Sequence, residues 1–357
     1  MRILVDAHSF DKERFQGVNT YIVGVYKEIF KSAPLHWEFI FYCKDQDYLK
    51  SVFGTNEKVS FYKPRFSGIL YRFSIGLSKA IIDVKADYLH VQYKSPLLKL
   101  CKEWVTVHDV LFIDYPDYFT RSFRVLSNWL YRRSIVRADY INTVSDYSKR
   151  RVEIIYGVKN VMNTGMGLER RRLDYSVSNS LQVNEVLSSK YILCVSRIEP
   201  RKNQAYLFRL LSNMSEETKL VLVGSQTHAY PDFENYISAN NNGNIYWFEN
   251  LEFSDLERLY SRAHITIYPS LCEGFGLPPM ESLLYRTPVL FNDNTAMREY
   301  SDLAVFNLSL ENHSKMAQQI DEICKSPKIE VNEVNLTKRF SWKNVAKKII
   351  EKLEVYD

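Results

Sequence analysis

The amino-acid sequence predicts an α/β protein built from two domains, in each of which strands alternate with helices. Three observations favour this fold class. The chain has 357 residues, which is long for one hydrophobic core and typical of two domains. Short runs of β-branched and aromatic residues alternate with stretches of helical length through both halves. A polar, weakly periodic stretch at residues 168–190 lies between the halves and is expected to link them.

The first half begins with a strand and continues as alternating strands and helices. Six apolar or aromatic runs are the expected strands: RILVDA, WEFIFYC, VSFYKP, YLHVQY, WVTVHDV and YINTVS. Intervening stretches such as residues 19–33 and 123–138 are long enough for helices. Strands that alternate with helices form a mostly parallel sheet with both faces covered.

The second half repeats this pattern. Its expected strands are YILCVSR, KLVLVG, NIYWFEN, ITIYPS and PVLF, with helices near residues 203–214, 232–240, 254–263 and 278–286. The chain closes with an amphipathic helix, in which apolar residues recur at helical spacing: Trp342, Val345, Ile349 and Leu353. We therefore predict a first domain at residues 1–170, a second domain at 171–340 and a closing helix at 341–357.

Charge is unevenly distributed along the chain. The net charge is +5 at pH 7, but residues 1–180 carry 28 Lys and Arg against 19 Asp and Glu, and the remainder carries 19 against 23. This asymmetry predicts that the first half faces an anionic partner. Nucleic acid, a membrane surface and a phosphorylated substrate all fit the sign of the charge.

Cysteine usage and the lack of long apolar runs indicate the compartment. The five cysteines form no Cys-x-x-Cys pair, which argues against a disulfide framework or a zinc site and favours a reducing environment. The first ten residues read as a strand rather than a signal peptide, and no apolar run reaches about 18 residues. We therefore expect a cytoplasmic protein without a membrane-spanning helix.

Two basic residues follow the first strand of the second half. In VSRIEPRKNQ, Arg197 ends the expected strand and Lys202 lies five residues later, near the start of a helix. Open α/β sheets bind ligands outside the carboxyl ends of their strands. Two cations and the N–H groups of a helix start make this segment a candidate diphosphate site.

Two glutamates flank a flexible turn in residues 269–290. Glu273 follows the strand ITIYPS, and Gly274 and Gly276 allow the backbone to approach a ligand closely. Two prolines then suit the first turn of a helix and put Glu281 in that turn. The helix dipole would favour its carboxylate there, where it could accept hydrogen bonds from a vicinal diol such as ribose.

Other candidate sites have simpler explanations. His108 and Asp109 end a strand of the first half and could face the second half, although a histidine there is often structural. Asp45 and Asp47 form a metal-binding Asp-x-Asp pattern, which we interpret as a solvated turn. Cys272 beside a glutamate is interpreted as a packed cysteine rather than a nucleophile. A nicotinamide-binding Gly-x-Gly-x-x-Gly run is missing from the sequence.

Taken together, these segments resemble the family 4 retaining glycosyltransferases. The second half carries SRIEPRKN, LVG, EGFGLPPMES and PVLFNDNTAMRE in the family's order, with the two glutamates eight residues apart. The first half adds GVNTYI, VHDV and TVSDYSKRRV, and FSWKNVAKKIIEKL resembles the closing helix. The resemblance covers nearly the whole chain, and its most specific element is the Glu-x7-Glu motif.

The resemblance implies the GT-B fold, in which two Rossmann-like domains face each other across a cleft and the closing helix crosses back to the first domain. A sugar nucleotide would bind in the cleft as co-substrate, without a metal or another cofactor. Carried over by position, Arg197 and Lys202 would hold the diphosphate. Glu281 would take the ribose hydroxyls, and Glu273 would contact hydroxyls of the donor sugar.

The resemblance also implies roles for backbone groups and for the first domain. The N–H groups of Phe275, Gly276 and Leu277 would meet sugar and phosphate oxygens. His108 would lie near the transferred sugar, and Gly17 would let the N-terminal loop approach the phosphates. The expected catalytic residues are Glu273, His108, Arg197 and Lys202.

We accordingly expect a retaining glycosyltransferase of bacterial polysaccharide assembly. GDP-mannose or another GDP-sugar is the first expectation for the donor and a UDP-sugar the second. The acceptor would be a saccharide or a lipid-linked saccharide, and nucleic acid is not an expected partner. A GT-B sugar-nucleotide 2-epimerase and a non-catalytic nucleotide-sugar-binding subunit stay open as alternatives.

One basic segment predicts contact with the inner face of the cytoplasmic membrane. Residues 119–137 combine arginines with large apolar side chains: Arg121, Arg124, Arg132, Arg133 and Arg137 beside Phe123, Trp129 and Leu130. Such a segment can lie on anionic lipid. It can equally be a surface helix packed on the sheet with solvated arginines.

Three segments depart from the family pattern. Arg286 stands in YRTPV where the family usually has glycine, so the turn after Glu281 must tolerate a bulky cation. Residues 163–168 and 248–253 also differ from the usual family sequence, which leaves the domain edge and the nucleotide base open.

Overall fold

A computed structural model of the protein describes residues 1–8, 10, 17–66, 68–169, 178–226, 229–239, 243–304, 308–325 and 333–355. The chain divides into two compact units. Met1–Gly167 and Lys338–Asp357 form the first unit, and Leu168–Thr337 form the second. The predicted domain boundary between residues 170 and 171 lies outside the described residues.

The strands are as follows in chain order: β1 (Arg2–Asp6), β2 (Glu38–Tyr42), β3 (Val59–Tyr62), β4 (Tyr88–Gln92), β5 (Lys102–Val107), β6 (Tyr140–Thr143), β7 (Met162–Asn163), β8 (Tyr191–Val195), β9 (Lys219–Val223), β10 (Ile245–Phe248), β11 (Ile265–Tyr268) and β12 (Val289–Phe291). The first unit holds a sheet in the order β3-β2-β1-β4-β5-β6-β7, and the second holds one in the order β10-β9-β8-β11-β12. All of these strand pairs are parallel.

The α-helices are α1 (Gly17–Ser32), α2 (Gln46–Phe53), α3 (Ile69–Tyr71), α4 (Leu77–Val84), α5 (Leu111–Asp114), α6 (Arg121–Arg137), α7 (Asp146–Tyr156), α8 (Leu181–Leu187), α9 (Gln204–Leu211), α10 (Pro231–Ser238), α11 (Phe253–Arg262), α12 (Leu277–Leu284), α13 (His313–Lys325), α14 (Glu333–Arg339) and α15 (Trp342–Glu354). A π-helical turn joins α3 to α4 at Arg72–Gly76, and 3₁₀ turns occur at Pro116–Tyr118, Pro200–Lys202 and Thr295–Leu303.

Both sheets are buried on both faces, which confirms the predicted α/β fold class. Ile3, Leu4 and Val5 in β1 are all fully buried, although consecutive strand residues point to opposite faces. The same is true of Leu220 and Val221 in β9. Helices must therefore cover each sheet on two sides, as parallel sheets require.

The expected linker contains an element that the sequence did not indicate. Residues 178–190 include α8, which begins after Ser180, whose side chain accepts a hydrogen bond from the N–H of Val183. Val183 and Val186 are buried. Two buried positions in a seven-residue helix are too few to produce a clear helical period, so the sequence pattern does not reveal this helix.

The predicted amphipathic helix at the end of the chain is confirmed as α15, and it packs against α1 within the first unit. Trp342 sits against Gly24, where an added Cβ would lie 2.2 Å from the indole. Gly167 makes a similar approach, with a Cβ position 2.3 Å from the same ring system. The indole also meets the Tyr21 ring edge-on at 6.0 Å. Glycine is therefore required at both positions to accommodate the tryptophan.

Arg286 follows α12 in a left-handed conformation, with φ of 58°. This is the position where the family usually has glycine, which adopts such a φ without a steric penalty. The turn keeps its geometry here, because the Arg286 N–H still donates to the Leu283 carbonyl at 3.1 Å.

Candidate functional site

The candidate site of the second unit lies where its strand order reverses. β9 and β10 lie on one side of β8, and β11 and β12 lie on the other. Ligands of open α/β sheets bind at such a point, outside the carboxyl ends of the strands. The segment after β8 carries Arg197 and Lys202, and the segment after β11 carries Glu273.

Lys202 and Glu273 are in direct contact. The Lys202 ammonium donates to Glu273 Oε1 in a short ion pair and to the Tyr268 hydroxyl at 2.9 Å. Both side chains are more than nine-tenths buried. Lys202 lies close to the start of a helix, as predicted. Lys202 ends a 3₁₀ turn, Asn203 adopts a left-handed conformation, and α9 begins at Gln204.

Glu273 is held in its ionised form. Ser270 Oγ donates to Oε1 at 2.6 Å, and Arg201 Nη1 lies 3.7 Å from Oε2. Burial alone would raise the pKa of this carboxyl. The charges of Lys202 and Arg201, with hydrogen bonds from Lys202 and Ser270, outweigh burial and lower the pKa to about 2. Burial acts in the opposite direction on Lys202, whose pKa it lowers.

Arg201 was not singled out by the sequence interpretation. Its guanidinium bridges Glu199, at 2.6 Å, to Glu273, and it also donates to the Cys272 carbonyl at 3.1 Å. Its position beside Lys202 in EPRKN was the available signal, but a neighbour in sequence need not point to the same site. Arg201 thus ties the loop after β8 to the loop after β11.

Arg197 differs from the other cations in exposure. It lies two residues beyond β8, and 46% of its side chain is exposed, against 8% for Lys202. Its guanidinium lies 3.4 Å from Glu199 Oε1, at the edge of the same network. The buried Gln204 side chain donates to the Arg197 carbonyl at 2.8 Å, which fixes the backbone there. Arg197 is therefore free to reorient toward a ligand at low energetic cost.

The loop around Gly274 and Gly276 is pinned by the segment after β12. The Thr295 hydroxyl accepts a hydrogen bond from the Glu273 N–H at 2.9 Å, and the Asn294 amide donates to the Leu271 carbonyl at 2.6 Å. Gly276 has φ of 92°, and a Cβ there would lie 2.1 Å from Met297 Sδ. A side chain at position 276 would therefore clash with this support.

The remaining loop residues continue into α12. The Phe275 side chain is buried and packs edge-on against Tyr300 at 5.2 Å. Leu277 is the first residue of α12. The N–H groups of a first helical turn have no partner within the helix, which suits the backbone role expected for this segment.

The prediction that Glu281 lies in the first turn of the helix is wrong. α12 begins at Leu277, so Glu281 is its fifth residue and lies in the second turn. The helix dipole acts mainly within the first turn, so it does not account for this carboxylate. The structure instead connects Glu281 to Tyr260, whose hydroxyl donates to Oε2 at 3.0 Å. Glu281 is half-buried and has different partners from Glu273.

His108 belongs to the first unit and follows β5. Its Nε2 lies 2.6 Å from Gln92 Oε1, and its ring packs against Tyr21 at 5.2 Å and Tyr93 at 5.4 Å. Burial lowers its pKa to about 3, so the imidazole is neutral at pH 7. Ser148 donates to the His108 carbonyl at 2.7 Å, which fixes the backbone.

Gly17 is the first residue of α1, and an added Cβ would meet no described atom within 4 Å. The segment that precedes it, residues 11–16, lies outside the described residues. Asp109 is held by Tyr93, whose hydroxyl donates to Oδ2 at 3.3 Å, and by the Leu111 N–H at 3.2 Å.

The competing sites have structural explanations. Asp45 caps α2 by accepting a hydrogen bond from the Tyr48 N–H at 2.9 Å, and Asp47 pairs with Lys50. Cys272 is fully buried, in agreement with a packed cysteine. Among the described ranges, no group of three or more potential metal ligands is found.

The basic segment at residues 119–137 is α6, and its arginines have different environments. Arg133 donates to the Pro96 carbonyl at 3.0 Å, and Arg137 pairs with the buried Glu103 at 2.6 Å. These two arginines therefore connect α6 to β5 and to the segment that precedes it. Trp129 and Arg132 are exposed. In the part of the chain that the structure describes, no helix combines the length and apolar character needed to cross a bilayer.

Comparisons with known proteins agree with this architecture. Residues 179–348 match the family described as Glycosyl transferases group 1. The chain is 25% identical over 252 residues to O-antigen chain mannosyltransferase RfbU from Salmonella typhimurium, which is 70% of this chain and 68% of that protein. It is 27% identical over 230 residues to O-antigen chain mannosyltransferase B from Escherichia coli, which is 60% of each chain.

The fold has solved counterparts. Sucrose-phosphate synthase from Thermosynechococcus elongatus superposes over the whole of both chains with a TM-score of 0.77. The two sequences are 14% identical, so this similarity concerns the fold alone.

Proposed function

The chain belongs to the GT-B glycosyltransferases of the family 4 type, and we propose that it is a retaining hexosyltransferase that moves a sugar from a nucleotide donor to a saccharide or lipid-linked saccharide. The contact between Lys202 and Glu273 carries the proposal. It joins a cation suited to phosphate and a carboxylate suited to sugar hydroxyls at the point where ligands of such sheets bind. Glu281, on the following helix, then serves the ribose.

The proposed sugar is mannose, supplied as GDP-mannose. Two relatives are named O-antigen chain mannosyltransferases, which supports both the sugar and a role in bacterial polysaccharide assembly. A thermal-shift comparison of GDP, UDP, dTDP and ADP tests the base. A nucleotide at 100 times its dissociation constant stabilises the protein by about 2.7 kcal/mol. Stabilisation by none of the four would contradict the proposed donor site.

We propose that the sugar is transferred with retention on the face of the departing diphosphate. The chemistry of Glu273 supports this route, because a carboxylate with a pKa of about 2, held by Lys202 and Ser270, is a weak nucleophile. The diphosphate oxygen would accept the acceptor proton as the bond to the sugar breaks. NMR coupling constants of the product report the anomer, and an inverted product or a trapped glycosyl adduct would overturn this mechanism.

The transfer is proposed to need no metal ion. Arg197, Lys202 and the N–H groups of α12 supply positive charge that can offset the departing diphosphate. We expect full activity in EDTA. A loss of activity in EDTA that Mg²⁺ or Mn²⁺ restores would contradict this and renew interest in Asp45 and Asp47.

We further propose that the protein acts in the cytoplasm, bound peripherally to the inner face of the membrane through α6. The exposed Trp129 and Leu126 would enter the interface, and Arg121 and Arg132 would meet anionic lipid. Each basic residue at the surface contributes about 1 kcal/mol. The fraction of protein that floats with liposomes should rise with their phosphatidylglycerol content. A fraction that is independent of this content would exclude the proposed binding to anionic lipid.

A further inference from the structure

The first unit has its own point of strand-order reversal, between β1 and β4. β1 ends at Asp6 and β4 ends at Gln92, so the segments beyond them border the position where a doubly wound sheet binds a ligand. Two basic residues lie on segments close to these strand ends. Arg72 comes from the π-helical turn after α3, and Lys94 comes from the segment after β4.

Arg72 is largely buried but incompletely paired. Its Nε lies 3.8 Å from Asp6 Oδ2, which is an ion-pair distance but too long for a hydrogen bond. This N–H is buried and has no hydrogen-bond partner among the described residues. The guanidinium also stacks over the Phe73 ring at 4.2 Å. A partly desolvated guanidinium with unused donors favours an anionic ligand.

Lys94 is a second half-buried cation. Its ammonium lies 5.8 Å from the Phe123 ring centre, 5.5 Å from that of Tyr131 and 3.4 Å from Ser127 Oγ. Within the described ranges, no carboxylate lies within ion-pair distance of it. Burial and the charge of Arg72 lower the pKa of Lys94, as expected for two cations that share one region without enough negative charge.

The backbone before Lys94 is strained. Tyr93 has φ of 65°, an unfavourable value for an aromatic residue. This conformation accompanies the packing of the Tyr93 ring between His108, at 5.4 Å, and Tyr131, at 5.1 Å. Lys94 therefore follows directly on the residue whose ring contacts His108, which places the segment that carries Lys94 next to the proposed sugar-contacting histidine.

Both cations stand beside exposed apolar side chains. Arg72 follows Ile69 and Leu70, which are 61% and 84% exposed, and Lys94 precedes Leu97 and Leu98, which are 45% and 59% exposed. The two segments are in contact, because the Leu97 N–H donates to the Phe73 carbonyl at 2.9 Å. We call these four residues the apolar rim. Cations next to such a rim match a molecule that joins phosphate to hydrocarbon.

We propose that Arg72 and Lys94 bind the phosphate groups of a lipid-linked acceptor, whose hydrocarbon chain emerges over the apolar rim. This inference rests on the proposed function, since it assigns the acceptor subsite of the same transferase. It identifies the acceptor as a prenyl-diphosphate type of lipid rather than a free saccharide. The saccharide would extend from the phosphates toward His108.

The test uses farnesyl diphosphate as the probe, with the full chain and saturating GDP to block the donor site. Isothermal titration should show binding that is stronger than that of inorganic pyrophosphate or farnesol alone. Lys94→Gln and Arg72→Gln should each weaken farnesyl diphosphate binding about tenfold, because each removes a charge-assisted contact. Leu70→Ser with Leu98→Ser should weaken farnesyl diphosphate binding but leave pyrophosphate binding unchanged.

Lys31→Gln is the matched control, since it removes an exposed cation from α1 and should change nothing. Unchanged farnesyl diphosphate affinity in Lys94→Gln, with thermal unfolding confirming that the variant is folded, would overturn the inference. The inference would also be overturned if Lys94→Gln lowered binding to phosphatidylglycerol vesicles but not to farnesyl diphosphate. The cations would then bind membrane headgroups. Absence of GDP binding to the wild type would instead contradict the proposed function.

Discussion

The Lys202 ammonium and the Glu273 carboxylate form a buried ion pair across the strand-order reversal of the second unit, although 71 residues separate them in the sequence. Each is the partner that keeps the other charged in a buried environment. A donor phosphate would therefore approach a lysine that is already paired, and a donor sugar would meet a carboxylate that is already oriented. The proposed function uses this contact for donor binding, and its burial gives it a role in folding, so its loss should affect both.

Lys202→Ala and Arg197→Ala should separate these two roles. Lys202→Ala leaves Glu273 buried without its ammonium partner and should lower the free energy of unfolding by about 3–5 kcal/mol. Arg197→Ala changes an exposed side chain and should alter stability by less than about 0.5 kcal/mol. Each should weaken donor binding or transition-state stabilisation by about 1.5–3 kcal/mol. Urea denaturation and nucleotide titration measure the two effects, and wild-type donor affinity in either variant would contradict the diphosphate role.

Glu273→Gln and Glu281→Gln should affect different kinetic constants. Glu273→Gln should lower kcat without abolishing GDP binding, because the expected partner of Glu273 is the sugar. Glu281→Gln should mainly raise the dissociation constant of GDP, because its expected partner is the ribose. Steady-state kinetics with direct GDP titration distinguishes them. The same change in both variants would refute the division of roles between the two glutamates.

Arg201 should act as a positioning residue for Glu273. Arg201→Lys keeps a positive charge but cannot bridge Glu199, Glu273 and the Cys272 carbonyl together. We expect a lower kcat with little change in the KM for the donor, and a larger loss of kcat in Arg201→Ala. A variant that lost stability but kept wild-type kcat would assign Arg201 a purely structural role.

His108 should make the first unit less stable as the pH falls. Its folded-state pKa of about 3 lies below the ordinary histidine value, so the unfolded chain binds more protons between these pH values, and stability decreases as pH falls through 6.5. Between pH 7 and pH 5 this single group should lower the free energy of unfolding by about 2 kcal/mol.

Urea denaturation at both pH values tests this effect. His108→Gln should lose about 2 kcal/mol of the pH dependence, whereas the exposed His36→Gln should retain the wild-type dependence. If the free energy of unfolding depended on pH equally in all three proteins, the pKa of His108 would not be lowered in the folded state.

Gly24→Ala should destabilise the docking of α15 on α1. Alanine is favoured over glycine in a helix by about 1 kcal/mol, but its Cβ would lie 2.2 Å from the Trp342 indole. Overpacking of this kind costs about 1–3 kcal/mol, so the steric effect should prevail. Thermal unfolding should show a lower Tm. Gly68→Ala, where the added Cβ meets no described atom within 4 Å, serves as the control and should be close to neutral.

Local patterns were sufficient for most of the strands, for the closing helix and for several site residues. Apolar runs predicted the strands because a parallel strand buried on both faces must be apolar throughout, as in β1 and β9. The spacing of Trp342, Val345, Ile349 and Leu353 predicted α15 because all four are buried on one side of it. Glu273 and Lys202 were predicted because they follow strands of one sheet, whose carboxyl ends lie along the same edge.

The turn assignment of Glu281 was wrong because the two prolines suggested the helix start, whereas α12 begins one residue earlier, at Leu277. With this start Glu281 lies in the second turn, where the helix dipole acts more weakly. The helix α8 was missed because its buried face has only two residues. Assignments of a helix end differ by about one or two residues. Both errors concern sequence patterns that are no longer than this.

The sequence by itself determined the α/β class, the order of strands and helices, and the family resemblance carried by SRIEPRKN and EGFGLPPMES. Each of these depends on residues that are close together in the chain. Only the tertiary structure decided that Lys202 pairs with Glu273, that Arg201 bridges Glu199 to Glu273, and that the segments carrying Arg72 and Lys94 are in contact. These contacts join loops that are distant in sequence, and the physical reason is that strand order, rather than chain order, determines which loops are neighbours at a sheet edge.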